Sequence, residues 1–242
     1  MSMTIYDLLI LQFIAHLLAD FTFQKETWAN DKEIHGFSSK FLKWHILITL
    51  VLSLMLSFQW LFICASIVIA AIHWIIDGFK KELLEYKKTS NYTFFIDQSL
   101  HLLVIIGVTL MYSYLFKINP YIEIPIHTYR LLIIAGYLLC AKPANMIIKA
   151  IFQMYEISLA DKEGAILNAG KLIGISERII TLTLILYGQF EAVGFIIAGK
   201  SILRFKETDT SKTEYVLIGT MLSFGIAIIT GIGLLILKSK LF

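Results

Sequence analysis

The chain has little charge. Asp, Glu, Lys and Arg make up 16% of its 242 residues, against about 25% in soluble domains. Hydrophobic residues make up 57%, and the mean hydropathy is +0.75. This leaves little room for a separate soluble domain and indicates an integral membrane protein. Cysteine is nearly absent. Cys64 and Cys140 both lie in apolar segments, so neither a disulfide framework nor a thiolate metal site follows. No basic residue occurs in Met1–Asp7, so the first apolar stretch lacks the charged start of a cleaved signal peptide and reads as a retained span. The net charge is only +3, with the lysines spread between apolar runs. That speaks against nucleic-acid binding and for topology signals.

What is present is a set of apolar runs long enough to cross a bilayer, which takes about 20 residues. They predict an all-α polytopic bundle of about eight spans (seven to eight), near 5–24, 41–57, 60–79, 93–116, 128–150, 171–188, 190–206 and 214–237. Only Gly188-Gln189 separates the sixth and seventh, which could instead be one bent helix or a re-entrant pair. Residues 1–117 read as a four-helix domain of two hairpins and 118–242 as C-terminal membrane helices. Basic residues cluster in alternate loops: Lys25, Lys32, Lys40 and Lys43; then Lys80, Lys81, Lys87 and Lys88; then Lys149, Lys162 and Lys171; then Lys200, Arg204, Lys206 and Lys212. The positive-inside bias therefore puts the N-terminus outside. With eight spans the C-terminus is outside too, against which Lys238 and Lys240 speak mildly.

Three apolar segments carry a histidine and an aspartate four residues apart: His16-Leu-Leu-Ala-Asp20, His73-Trp-Ile-Ile-Asp77 and Asp97-Gln-Ser-Leu-His101. His45 lies in the run between the first two. Residues four apart share one helix face, and an Asp at membrane depth costs on the order of 2.5–3.5 kcal/mol. The order reverses in the third pair, whose helix runs the opposite way. Every Asp then lies about one turn from the cytoplasmic interface, with its His about one turn deeper. The spacings from His16 to His45 and from His73 to His101 suggest two parallel copies of one hairpin, although Phe41 stands where the second copy has Asp97.

Imidazole and carboxylate without thiolate suit a divalent Zn, Mn or Fe. Candidate metal ligands are His16, Asp20, His45, His73, Asp77, Asp97 and His101. Asp20, Asp77 and Asp97 are also candidate catalytic groups, as general base or as orienters of the histidines. A metal near the membrane surface could activate water against a lipid or lipid-linked substrate. The plainer alternative is hydrogen-bonded pairs that hold helices together. Transport of a metal ion or proton, and non-catalytic lipid binding, are the other readings. Gln24 and Trp44 flank the motif and could meet a headgroup. In the C-terminal half, Lys142, Glu177, Arg178, Lys200 and Arg204 are candidates for contact with a phosphorylated headgroup. Pairing of Glu177 with Lys200 or Arg178 is the plainer account. His35 and His127 read as solvated loop residues, and Asp7 and Asp31 as surface charges.

The runs His-Leu-Leu-Ala-Asp-Phe-x-Phe-Gln at 16–24, His-x-x-x-Asp at 73–77 and Asp-Gln-x-x-His at 97–101 resemble a bacterial membrane family, domain of unknown function 3307, over about residues 5–115. Gly-Lys-Leu-Ile-Gly-x-x-Glu-Arg at 170–178 and Gly-Lys-Ser-Ile-Leu-Arg-Phe at 199–205 look like a C-terminal extension seen in some members. The resemblance implies a bacterial inner-membrane protein and brings no activity with it. More distantly, the chain is similar to membrane-bound metal-dependent hydrolases with intramembrane His and Asp.

Overall fold

The computed structural model describes residues 3–86, 89–122, 127–157, 169–202 and 210–241. Among these there is no strand. Two compact units divide the chain, Met1–Ala135 and Gly136–Phe242. Lys87, Lys88, Lys162, Arg204 and Lys206 lie outside the described residues.

In the first unit four long helices form a closed ring: α1 (Ile5–Leu17), α3 (Lys40–Ser57), α4 (Ile63–Gly78) and α6 (Thr93–Leu115). Helix α1 packs on α3 and α6, and α4 packs on α3 and α6. Helix α1 starts at a capping box in which the Thr4 hydroxyl accepts from the Asp7 N–H while Asp7 Oδ2 accepts from the Thr4 N–H. Asp7 is thus a buried cap rather than a surface charge. The packing is inverted relative to a water-soluble bundle. On α3, His45, Thr49, Ser53 and Ser57 recur every fourth residue on the buried face, whereas Trp44, Leu47, Val51 and Met55 are exposed. Ser53 donates to Gln12 Oε1 at 2.7 Å and its oxygen lies 3.1 Å from the Ser66 hydroxyl, tying α1, α3 and α4 through side-chain hydrogen bonds. An apolar exterior with satisfied polar side chains inside is what a hydrocarbon solvent demands.

Two short helices lie outside the ring. Helix α2 (Glu26–His35) packs on α3 and on α5 (Lys80–Glu85). It ends at Gly36, whose φ of +52° favours glycine. Behind it Phe37 packs edge-on against Trp74 and Phe79, both with ring centroids at 5.1 Å. This seat requires Gly78, because a Cβ there would fall 2.1 Å from Phe37 Cε1. Gly78→Ala is expected to expel Phe37 and cost about 1–3 kcal/mol by overpacking. Gly107→Ala meets open space and should be neutral or mildly stabilising. Thermal midpoints in detergent compare the two, and equal midpoints would remove this account of how α2 is anchored.

The second unit holds the end of α7 (Thr128–Cys140), then α8 (Lys142–Met154), α9 (Ala169–Leu186), α10 (Phe190–Ile202) and α11 (Thr210–Leu241). Helices α8, α9 and α11 pack on one another, and α10 packs on α9. The run expected as one span at 128–150 is broken at Ala141 and bent by 46°, with Pro143 in the first turn of α8.

Among the described residues, five helical stretches are long and apolar enough to cross a membrane: Ile5–Phe23, Lys40–Ser57, Trp60–Glu85, Ser90–Leu115 and Thr213–Lys240. The bent pair α7 and α8 makes a sixth if it is one span. The expected sixth and seventh spans are not among them. Helix α9 carries Lys171, Glu177 and Arg178, and the described residues of the expected span at 190–206 end at Ile202, where α10 has 13 residues.

Candidate metal centre

All seven predicted ligands converge at one end of the four-helix ring. Asp77 lies one residue before the end of α4 and Asp97 four residues past the start of α6, so these antiparallel helices bring both carboxylates to the same end. Each histidine lies one turn further into the bundle. Asp20 reaches the layer from a π-helical segment, Leu18–Phe23, that follows α1. Such segments are rare and cluster at functional sites.

Four donor atoms lie closest together. His45 Nε2 is 3.0 Å from His73 Nε2. Asp20 Oδ1 is 3.6 Å from His45 Nε2 and 3.5 Å from His73 Nε2. Asp77 Oδ2 is 3.4 Å from His45 Nε2 and 3.7 Å from His73 Nε2. Ligands about 2.0–2.1 Å from a tetrahedral ion are separated from one another by about 3.3 Å, a value bracketed by the separations within His45/His73/Asp77 and from Asp20 to the two histidines. Two further histidines adjoin the quartet. His16 Nδ1 is 3.5 Å from Asp20 Oδ1. His101 Nε2 is 3.5 Å from Asp77 Oδ1 and 3.4 Å from Asp97 Oδ1. The rings of His73 and His101 stack at 3.8 Å.

The donor atoms also pass a test of fit. Asp20 Oδ1, Asp97 Oδ1 and His101 Nε2 are buried without a hydrogen-bond partner among the described residues. Buried oxygens of this kind are costly unless a cation or donor meets them. Three subsets, His16/Asp20/His73, His45/His73/Asp77 and Asp77/Asp97/His101, each bring their donor atoms within 4.8 Å of one another. His73 and Asp77 are each shared by two of them.

Two residues of the site were not singled out from the sequence. Gln98 accepts from His16 Nε2 at 3.2 Å and donates to Asp97 Oδ2 at 3.1 Å and Asp20 Oδ2 at 3.4 Å. Because its carbonyl oxygen only accepts, Gln98 favours a His16 that carries a proton on Nε2, and in the neutral ring that leaves Nδ1 free as a ligand atom. The signal was available, since Gln98 sits inside the Asp-Gln-x-x-His run. Lys32 is the second. Counted as a loop lysine, it is 2% exposed on α2 and donates to Asp77 Oδ2 at 2.5 Å and to Gln24 Oε1 at 3.0 Å. Gln24 thereby joins the site through Lys32, while Trp44 is exposed.

The remaining candidates have other surroundings. Asp31 accepts from the Ser39 hydroxyl at 2.5 Å, and His35 and His127 are exposed. In the second unit Lys200 is 2.6 Å from Glu177, the plainer of the two pairings expected. Arg178 is buried and donates to the carbonyls of Cys140 and Ala141, to Asn145 Oδ1 and to Ser223 Oγ. Its guanidinium is taken up by protein acceptors rather than offered to a headgroup. Lys142 is exposed, and Arg204 lies outside the described residues.

With this geometry in view, a model for the family described as "Protein of unknown function (DUF3307)" matches residues 8–128. The chain belongs to this family. The matched region contains every residue of the His/Asp layer together with Lys32 and Gln98. No curated protein and no solved structure matches the chain.

Proposed function

We propose that this family member is a metal-dependent membrane hydrolase acting on a lipid or lipid-linked substrate. The observation that carries this reading is the triad His45, His73 and Asp77, whose separations of 3.0–3.7 Å suit three vertices of one tetrahedral ion, with Asp20 Oδ1 3.6 and 3.5 Å from the two histidines. Zn, Mn or Fe in the divalent state fits this donor set. Such an ion, when bound, supplies Lewis-acid activation of water.

The protein groups divide the remaining work. Gln98 orients His16. Asp97, 3.4 Å from His101 Nε2, forms with it a pair able to take up and release a proton. The loop-lysine bias supports a bacterial inner-membrane location with the N-terminus outside and the layer near the cytoplasmic face. On this reading α9 and α10 complete the eight-span count.

The test uses purified protein in vesicles of bacterial phospholipid. Metal-dependent release of a water-soluble headgroup or a fatty acid is the expected result. Asp97→Asn should retain the metal and lower that rate at least about tenfold, within the 10²–10⁴ range typical of proton-transfer catalysis or just below it. A wild-type protein that carries metal yet leaves every lipid unchanged would defeat the hydrolase reading.

A further inference from the structure

Among the described residues Lys32 is the one ammonium hydrogen-bonded to a carboxylate of the His/Asp layer, and loop lysines do not ordinarily lie there. Its helix, α2, is polar, with the sequence Glu-Thr-Trp-Ala-Asn-Asp-Lys-Glu-Ile-His. Such a helix could lie on the membrane surface with all of its charges in water. Instead one lysine is buried to 2% exposure, its Nζ 2.5 Å from Asp77 Oδ2 and 3.0 Å from Gln24 Oε1. The placement is held from both sides. Gly36 and Phe37 seat the end of α2 on Gly78 of α4, next to Asp77 itself. Trp28 stacks on Phe41 at 5.4 Å, fixing α2 against α3.

The charges of the layer explain why such a lysine is present. Metal-ligating imidazoles are neutral and carboxylates ionised, so Asp20, Asp77 and Asp97 bring three negative charges. Lys32 returns one positive charge. A single divalent ion cancels the remaining two. A second divalent ion would leave two uncompensated positive charges in a low-dielectric site, where unbalanced charge is most costly. Lys80, paired with Glu33 at 3.1 Å, also acts electrostatically on Asp97 and Asp77, so its field opposes a second metal in the same direction as Lys32. Seven ligating side chains and two shared residues would otherwise suit a two-metal centre, with the two oxygens of Asp77 turned to different histidines: Oδ2 to His45 and His73, and Oδ1 to His101.

We infer that the centre takes one divalent ion and that Lys32, held on Asp77 Oδ2 beside His45 and His73, serves as the fixed second cation and excludes a second metal from the layer. The inference rests on the metal-site reading above and deepens it. In this arrangement α2 tunes the centre through a charge held against Asp77.

The experiment is titration of purified, chelator-stripped protein with Zn or Mn, read as ions bound per chain and as resistance to a competing chelator. Wild type should bind one ion per chain. Lys32→Met, which keeps the aliphatic stem without the charge, should bind two or hold its first at least tenfold more tightly. Lys32→Arg should behave as wild type. Two ions in wild type overturn the inference, as does a folded Lys32→Met with unchanged stoichiometry and affinity. Should Lys32→Met not fold, the wild-type stoichiometry and the Lys32→Arg titration decide, with two ions in either overturning it. No ion in wild type removes the metal-site reading itself, and so is distinguishable from failure of the Lys32 role alone.

Discussion

Replacing His73 by alanine is expected to empty the centre. His73 Nε2 faces three donors of the quartet, His45 at 3.0 Å, Asp20 at 3.5 Å and Asp77 at 3.7 Å. It also belongs to two of the three donor groups. Its loss leaves no alternative imidazole at that vertex, because His101 is committed to the far oxygen of Asp77 and to Asp97. Loss of a group that merely orients a ligand weakens metal affinity about 10–100-fold, so loss of this ligand should cost at least that. Elemental analysis should find about one ion per chain in wild type and little in His73→Ala. His35→Ala, at an exposed position outside the layer, should retain it. Equal metal content in wild type and His73→Ala, with both folded by circular dichroism, would falsify the assignment.

The second large effect is on stability and lies in the other unit. The break between α7 and α8 exposes carbonyls that a continuous helix would satisfy, in a segment apolar enough to lie in lipid. Arg178 fills that need: Nε donates to the Cys140 carbonyl at 2.6 Å, Nη2 to that of Ala141 at 3.1 Å and to Asn145 Oδ1 at 2.6 Å, and Nη1 to Ser223 Oγ at 2.9 Å. One planar guanidinium thus joins α7, α8, α9 and α11. Arg178→Ala strands several buried acceptors, each worth about 1–3 kcal/mol, and should destabilise by about 3–5 kcal/mol. Arg178→Lys should recover only part, because an ammonium lacks the fork that reaches four acceptors. Thermal unfolding in detergent should show a midpoint lower by at least about 5 °C for the alanine variant. A midpoint within 1–2 °C of wild type, a shift of well under about 1 kcal/mol, would show that the break is held by something else.

Much of the first unit was legible in the sequence because its signals are local. A histidine and aspartate four apart need only helical periodicity to share a face, and reversal of their order between α4 and α6 needs only antiparallel helices. Both follow from the chain order once the apolar runs are identified. The rest depended on contacts distant in sequence. Asp20 reaches the layer on a π-helical segment, for which the sequence has no recognisable signal. Lys32 looked like other loop lysines because a positive residue next to a span is what topology rules expect. Its burial depends on Gly78 and Phe37 meeting across more than forty positions. In the second unit, Lys142-Pro143 signals an interruption of the run at 128–150, which the structure places at Ala141, but Arg178 could not be assigned before its carbonyl partners were known.

The sequence by itself determined a helical membrane protein and the seven ionisable residues at its heart, because burying charge in an apolar segment is too costly to be incidental. It also set which residues share a helix face, since that follows from 3.6 residues per turn. Only the tertiary structure decided that His45, His73 and Asp77 come within the separations of a single tetrahedral ion, with Asp20 beside both histidines, and that a lysine from a short helix outside the ring contacts Asp77. Donor–donor distances and the pairing of buried charges depend on how helices meet, and no periodicity along one chain encodes that.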